Sequence, residues 1–76
     1  MIQEHNRVVL TTSLPGEELE AGDVGTVVHV YGDGRAYEVK FTTLEGKTAA
    51  VATVEASQVR PVGKREITHA RELRPA

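Results

Sequence analysis

The chain has 76 residues, no cysteine and a formal net charge of -2. A chain of this length forms one domain with a small core, because it buries only about 60% of the surface that its unfolded form exposes. The lack of cysteine excludes disulfide bonds and thiolate metal or redox sites. The sequence has neither an apolar run near the ~20 residues that cross a bilayer nor a signal-peptide pattern. We therefore expect a soluble, cytoplasmic protein without a membrane role.

The charge is divided unevenly along the chain. Residues 1–59 contain four Lys and Arg against nine Asp and Glu, whereas residues 60–76 contain five against two. The acidic part disfavours nonspecific nucleic-acid binding, which depends on neutralising phosphate groups. The basic tail keeps nucleic acid open as an alternative ligand.

The N-terminal third predicts a strand, a turn and an acidic loop. Residues 7–11 are a β-prone run, and the Pro and Gly in residues 13–16 predict a chain reversal. Residues 17–21 contain three Glu between glycines, which favours a loop over a single helical turn. Leu14 and Leu19 are expected to tuck beneath this loop against the core.

The strongest signal in the sequence is a central hairpin. Gly22 and Gly25 flank its entrance, where a chain reversal requires residues that tolerate positive φ. At Gly25, which opens the central strand, a Cβ is expected to clash or to strain the backbone. Residues 26–31 are almost all β-branched or aromatic, and Gly-Asp-Gly at residues 32–34 predicts the turn into a returning strand at residues 36–41. The expected core face of that returning strand carries Tyr37, Val39 and Phe41.

The second half of the chain predicts another hairpin and a short final strand. Residues 44–47 form the turn, with Gly46 at its left-handed position, and residues 48–55 form the fourth strand. A 3₁₀-like corner at residues 55–58 leads to a last strand at residues 59–61, whose proline places that strand at a sheet edge.

These elements predict an all-β fold: a small five-stranded β-barrel over residues 1–61, with an extended C-terminal arm over residues 62–76. No segment has sustained helical periodicity, and closure into a barrel removes the free edges of a sheet. Residues 48–54 are apolar or small on both strand faces, which indicates that the arm, a second copy or another partner covers part of the outer surface. The alternative is ordinary exposure of scattered Ala and Val.

The arm has few apolar residues, and their spacing leaves its conformation open. Ile67 and Leu73 share one face of a strand, and together with Ala70 they share one face of a helix. The β-branched Ile67 favours an extended arm that becomes ordered on docking. Arg71 and Arg74 are its expected ion-pair donors, and the arm is expected to be dispensable for folding of the domain.

Five segments of the domain and one in the arm form a recognisable set. They are Arg7-Val8-Val9-Leu10, Leu14-Pro15, Gly22-Asp23-Val24-Gly25-Thr26-Val27-Val28-His29-Val30-Tyr31, Ala36-Tyr37-Glu38-Val39-Lys40-Phe41, Gln58-Val59-Arg60-Pro61 and Glu66-Ile67-Thr68-His69-Ala70-Arg71-Glu72-Leu73. Over about residues 4–61 they closely resemble a bacterial family catalogued only as domain of unknown function 4926. The Gly-Asp-x-Gly-x-Val-Val run is also similar to the SH3-like barrels of nitrile hydratase β subunits and of KOW modules.

The resemblance implies a fold and a biological context. It implies an SH3-like barrel in a small cytoplasmic bacterial protein, encoded beside a second small protein. That arrangement is typical of the antitoxin or immunity half of a two-gene module. The family carries no established catalytic residues, so none is transferred to this chain.

The candidate chemical groups form no catalytic or metal-binding pattern in the sequence. The three histidines, His5, His29 and His69, are too far apart for the usual local spacing of metal ligands. The acidic residues within 17–23 lack the alternating pattern of an EF-hand loop, and the hydroxyls of residues 11–13 have no evident base. We therefore predict no enzyme activity and no catalytic, cofactor-binding or metal-binding residue.

We expect a non-catalytic protein-binding module that neutralises or scaffolds a cognate small protein by covering its surface, or that associates with itself. An acidic loop steers a basic partner, and the arm supplies buried contact. The predicted partner-binding residues are Glu17, Glu18, Glu20, Asp23, Ile67, Arg71 and Leu73. The alternatives are a KOW-like nucleic-acid-binding module and an accessory subunit that docks on a larger enzyme; small molecules are not expected ligands.

Overall fold

The computed structural model describes residues 1–73 of the chain. Two 3₁₀ turns, Pro15–Glu17 and Ala56–Gln58, and five strands make up its regular structure. The strands are β1 (Arg7–Leu10), β2 (Val24–Tyr31), β3 (Ala36–Thr42), β4 (Thr48–Glu55) and β5 (Val59–Pro61). The predicted all-β class is confirmed, and within residues 1–73 no helix could cross a bilayer.

The five strands form one antiparallel sheet in the order β4-β3-β2-β1-β5. The two ends of this order, β4 and β5, do not pair with each other in the described part of the chain, so the sheet is open and the predicted closure into a barrel is not confirmed. β5 does lie at an edge, as its proline predicts. Pro61 stands opposite Val8 in the pairing of β5 with β1. Because β5 is an edge strand, the missing N–H of the proline interrupts no ladder inside the sheet.

The core lies on one face of the sheet, where alternate residues of neighbouring strands meet. Val39 stands opposite Val27 on one side and Ala52 on the other, and all three are buried. Tyr37 and Phe41 are also buried, which confirms the predicted core face of β3. The described residues contain no buried polar or charged side chain, so burial of apolar surface is what stabilises this sheet.

The opposite face of the sheet stays exposed. Val28 on β2 is 40% exposed and Val51 on β4 is 47% exposed. The expectation that something covers this outer face therefore stays a prediction. A β-bulge between Val27 and His29 changes the direction of the side chains at the end of β2. The rings of His29 and Tyr31 meet there edge to face, with centroids 4.5 Å apart.

The glycines of the turns and the glycine of β2 are required for different reasons. Gly22 and Gly46 have φ values of +98° and +94°, which the sequence analysis predicted for both positions. Gly25 lies inside β2 and has no positive φ, so the conformational reason predicted for it is wrong. The reason is space, because a Cβ at Gly25 would stand 2.5 Å from Cγ1 of Val39 and 2.8 Å from Cε2 of Phe41.

The arm forms neither helix nor strand over residues 62–73. It begins with a turn at residues 63–66, in which the Glu66 N–H donates to the Gly63 carbonyl. The absence of helix over these residues agrees with the predicted extended arm. Arg74, one of the two expected ion-pair donors, lies outside the described residues.

The crowding at Gly25 predicts a large effect of side-chain insertion. Gly25→Val should lower the free energy of unfolding by roughly 1–3 kcal/mol, the range for overpacked core positions. Gly16→Val is the matched control, because a Cβ at Gly16 would have no atom within 4 Å. Urea unfolding of both variants measures the difference, and equal midpoints would contradict the close packing of Val39 and Phe41 against this glycine.

Candidate interaction site

The acidic loop, defined here as residues 17–23, is anchored by leucines rather than by its charges. The backbones of Leu14 and Leu19 exchange two hydrogen bonds, of 2.8 and 3.1 Å. Leu19 is only 4% exposed and Leu14 packs against the core, which confirms the predicted role of both side chains. Glu17 and Glu18 therefore lie on a loop that is held from below, and both are exposed.

Asp23 closes this loop and leads directly into β2. Its backbone N–H donates to the Glu20 carbonyl at 3.0 Å, and its carboxylate Oδ2 accepts the Glu20 N–H at 2.9 Å. The N–H of the preceding Gly22 donates to the Leu10 carbonyl of β1 at 2.8 Å. The Asp23 carboxylate is thus held on the sheet before any partner reaches it, with its side chain 17% exposed.

The guanidinium of Arg71 binds this carboxylate from the arm. Nε donates to Oδ1 of Asp23 at 2.8 Å, and Nη2 donates to Oδ2 at 2.6 Å. Nη2 also donates to the Glu18 carbonyl at 3.2 Å, and Nη1 lies 3.8 Å from a carboxylate oxygen of Glu20. This two-point, charge-assisted contact is the strong geometry for an arginine and a carboxylate. The arm and the acidic loop, which the sequence analysis treated as separate surfaces, form one site.

Both ionisable groups of this pair are shifted toward their charged forms. Burial raises the pKa of Asp23, but hydrogen bonds from Arg71 and from the Glu20 N–H, together with attraction to Arg71, outweigh it and hold the pKa below 3.8. The hydrogen bond to Asp23 raises the pKa of Arg71, and burial only partly opposes that rise. The pair is therefore ionised on both sides at neutral pH.

A second ion pair directs the arm toward the acidic loop. Nη1 and Nη2 of Arg60 donate to the two carboxylate oxygens of Glu66 at 2.8 and 2.6 Å, and the Gly63 N–H also donates to Oε1 of Glu66. The hydrogen bonds from Arg60, then from Gly63, lower the pKa of Glu66 to about 2. This pair turns the chain back over the sheet after β5. The sequence did not predict this pair, since six positions and the predicted boundary between domain and arm separate Arg60 from Glu66.

An open cleft lies between the arm and the turn that joins β3 to β4. It has a volume of about 580 Å³, and the loop and sheet contribute apolar walls to it. Leu19, Val24, Phe41, Leu44 and Ala49 form those walls, opposite residues 68–73 of the arm. The charged pair of Asp23 and Arg71 lies at the same cleft.

The predicted partner-binding residues divide into three groups in the structure. Asp23 and Arg71 bind each other, with the backbone of Glu18 and the carboxylate of Glu20 beside them. Leu73 lies next to Glu17, Glu18 and Ala49, and remains 41% exposed. Ile67 is 92% exposed and is not part of the cleft wall.

No metal-binding arrangement is found among residues 1–73. No group of three or more His, Asp or Glu side chains there is placed to hold an ion. His29 instead approaches Glu4, with Nδ1 of the histidine 3.9 Å from Oε2 of the glutamate.

The two arm ion pairs predict two independent titrations. Arg71→Gln should raise the pKa of Asp23, because the largest opposing influence, burial, remains while the arginine hydrogen bonds and charge are lost. The same substitution should leave Glu66 near its value of about 2. Arg60→Gln is the converse substitution, and should raise the pKa of Glu66 more than that of Asp23, which keeps its hydrogen bonds from Arg71 and from the Glu20 N–H.

Carboxyl-carbon NMR over pH 1 to 7 measures both groups. Because the folded-state pKa of Asp23 is depressed, its pairing stabilises the arm above pH 3.8 and is lost as the pH falls through the lowered value. An Asp23 titration that is the same with and without Arg71 would contradict the docked arm.

Comparison with known proteins relates the domain, but not the arm, to a described group. A family model described as "Domain of unknown function (DUF4926)" matches residues 4–61, from before β1 to the end of β5. No curated protein and no solved structure gives a significant match. Because the matched region spans well over half of the chain, the chain belongs to the DUF4926 family.

Proposed function

We propose that this chain is a non-catalytic protein-binding module, the antitoxin-like, immunity-like or accessory partner of a second small bacterial protein. It acts by covering a basic surface of that partner. The observation that carries the proposal is the two-point contact between Asp23 and the Arg71 guanidinium. A surface that holds one arginine in this geometry is suited to an arginine of another protein.

The remaining carboxylates support a role in the encounter with a basic partner. Glu17, Glu18 and Glu20 are exposed and lie within one loop beside the site. Like charges grouped on an exposed loop raise the rate at which an oppositely charged partner arrives, more than they raise its final affinity.

Exposed apolar side chains support a buried contact with the same partner. Val24 beside Asp23 is 38% exposed, Leu44 across the cleft is 94% exposed, and Ile67 on the arm is 92% exposed. Interfaces bury such residues at their centre and keep charges at the rim. We propose an SH3-like barrel as the shape of the domain, supported by the five antiparallel strands and by the 3₁₀ turn before β5. We also propose the cytoplasm as the location of the protein.

The pairing of the basic residues favours a protein over a nucleic acid as the partner. Arg60 and Arg71 are bound to carboxylates, which reduces the positive surface that the C-terminal segment offers to phosphates. Random-sequence oligonucleotides test this KOW-like alternative, since binding that persists at 200 mM salt would favour it. Capture of a large enzyme from the native host would favour the accessory-subunit alternative.

Neutralising the loop should slow association with the captured partner. Glu17→Gln combined with Glu20→Gln should lower the association rate at low salt by roughly threefold to tenfold and flatten its salt dependence. Asp23 is left intact because it holds the loop onto the sheet. Glu4→Gln combined with Asp33→Asn is the matched control, with the same change of charge at exposed positions outside the loop and the cleft.

Surface plasmon resonance against the immobilised partner measures these rates. Equal association rates for the loop variant and the control variant would show that the loop charges are only solvated surface.

A further inference from the structure

Beyond Glu66 the described part of the arm is attached to the sheet through side chains rather than through its backbone. From residue 67 to Leu73 no residue makes a backbone–backbone hydrogen bond. Arg71 supplies the polar contacts of this stretch with the acidic loop, and Leu73 remains 41% exposed. An extended segment with so few contacts opposes its own backbone entropy weakly, so we expect its docking to be readily reversed.

The docked arm also fills the cleft incompletely. A volume of about 580 Å³ remains between the arm and the apolar walls formed by Leu19, Val24 and Phe41. Volumes of this size are typical of binding clefts. The apolar residues that the arm contributes to the cleft are Ala70 and the partly exposed Leu73, whereas its Ile67 lies in solvent. Ala70 is small, so the arm pairs with Asp23 and leaves space beside the apolar walls of the cleft.

The charge at the site is also only partly balanced. The carboxylates of Asp23 and Glu20 lie near the guanidinium of Arg71, Glu17 and Glu18 belong to the same loop, and Glu72 follows directly in the arm.

We propose that Asp23 and the adjoining cleft form a recognition site for an extended, arginine-bearing segment of a partner protein, and that the arm is an exchangeable strap that occupies the site in cis. The segment carries a large apolar side chain beside its arginine, which enters the cleft where Ala70 leaves space. This inference rests on the proposed function and specifies its partner and its regulation: the partner must displace Arg71 before it binds.

The cost of displacing the strap sets the size of the expected effect. A short tether holds its ligand at an effective concentration on the order of 1 mM. If the arm binds in trans with a Kd of about 0.1 mM, the closed strap weakens an incoming ligand by about tenfold. Removing Arg71 should restore that factor.

The arm itself supplies the probe. A fluorescein-labelled peptide of residues 62–76 is titrated by fluorescence anisotropy with the full chain and its variants. The Arg71→Ala chain, whose site is open, should bind the peptide about tenfold more tightly than the wild type. Adding Asp23→Asn to Arg71→Ala should abolish that gain, because asparagine can keep the turn bond to Glu20 but cannot pair with a guanidinium. Arg65→Ala removes one positive charge at an exposed arm position outside both ion pairs, so it is the matched control and should bind as the wild type does.

Variants of the peptide test the arginine contact and the apolar cleft separately. A peptide with Arg71→Ala should lose binding to the open chain. A peptide with Ala70→Leu should bind at least threefold more tightly, because the larger side chain fills more of the space beside the apolar walls of the cleft. An Ala70→Leu peptide that binds no better would overturn the assignment of the cleft.

Circular dichroism establishes that the sheet is intact in each chain, and Arg71→Gln replaces Arg71→Ala if the latter unfolds. Equal peptide binding by the open chain and the wild type would overturn the strap. Wild-type dimerisation that the Arg71 substitution abolishes would assign the site to the arm of a second copy instead of a foreign partner. Failure of partner capture alone would count against the proposed function, and the peptide titration would be unaffected by it.

Discussion

The carboxylate of Asp23 connects the acidic loop and the start of β2 to the arm, where Arg71 lies 48 positions further along the chain. One of its oxygens accepts the Glu20 N–H and closes the acidic loop, and both oxygens accept hydrogen bonds from Arg71 of the arm. Its backbone leads into β2, the central strand of the sheet. Without this carboxylate the loop would lose its closing bond and the arm would lose its anchor. The cleft between the arm and the sheet depends on the same residue.

The sheet that supports this site is expected to have a small free energy of unfolding, because the domain is small. Its core consists of single apolar layers such as Val27, Val39 and Ala52, and the close approach of β3 to β2 leaves no room for a side chain at Gly25. Small domains bury a smaller fraction of their surface than large ones do, so each close contact contributes a larger part of the stability. In the strap that we propose, the sheet positions Asp23, and the arm leaves this residue when a partner binds.

The edge strand β4 gives the protein a second exposed feature. Residues 49–54 carry no charge, and edge strands of this kind usually need protection from pairing with other chains. Leu73 of the arm and Glu17 and Glu18 of the loop lie beside Ala49 and Ala50 at the start of this strand. The docked arm thus shields part of the edge as well as the cleft.

The sequence by itself determined the strands and the turns. Alternation of apolar residues located the core face of β3, and glycine in turns located the positive φ at Gly46, because both features depend on neighbours a few residues apart. Tertiary structure alone decided which charges meet. Arg71 and Asp23 are 48 positions apart, and their contact depends on the path of the arm, which the pairing of Arg60 with Glu66 sets. For Gly25 the sequence predicted a clash or backbone strain without deciding between them, since the atoms that exclude a Cβ belong to another strand. Local patterns encode backbone conformation, whereas the partner of a long charged side chain is chosen only after the chain has folded.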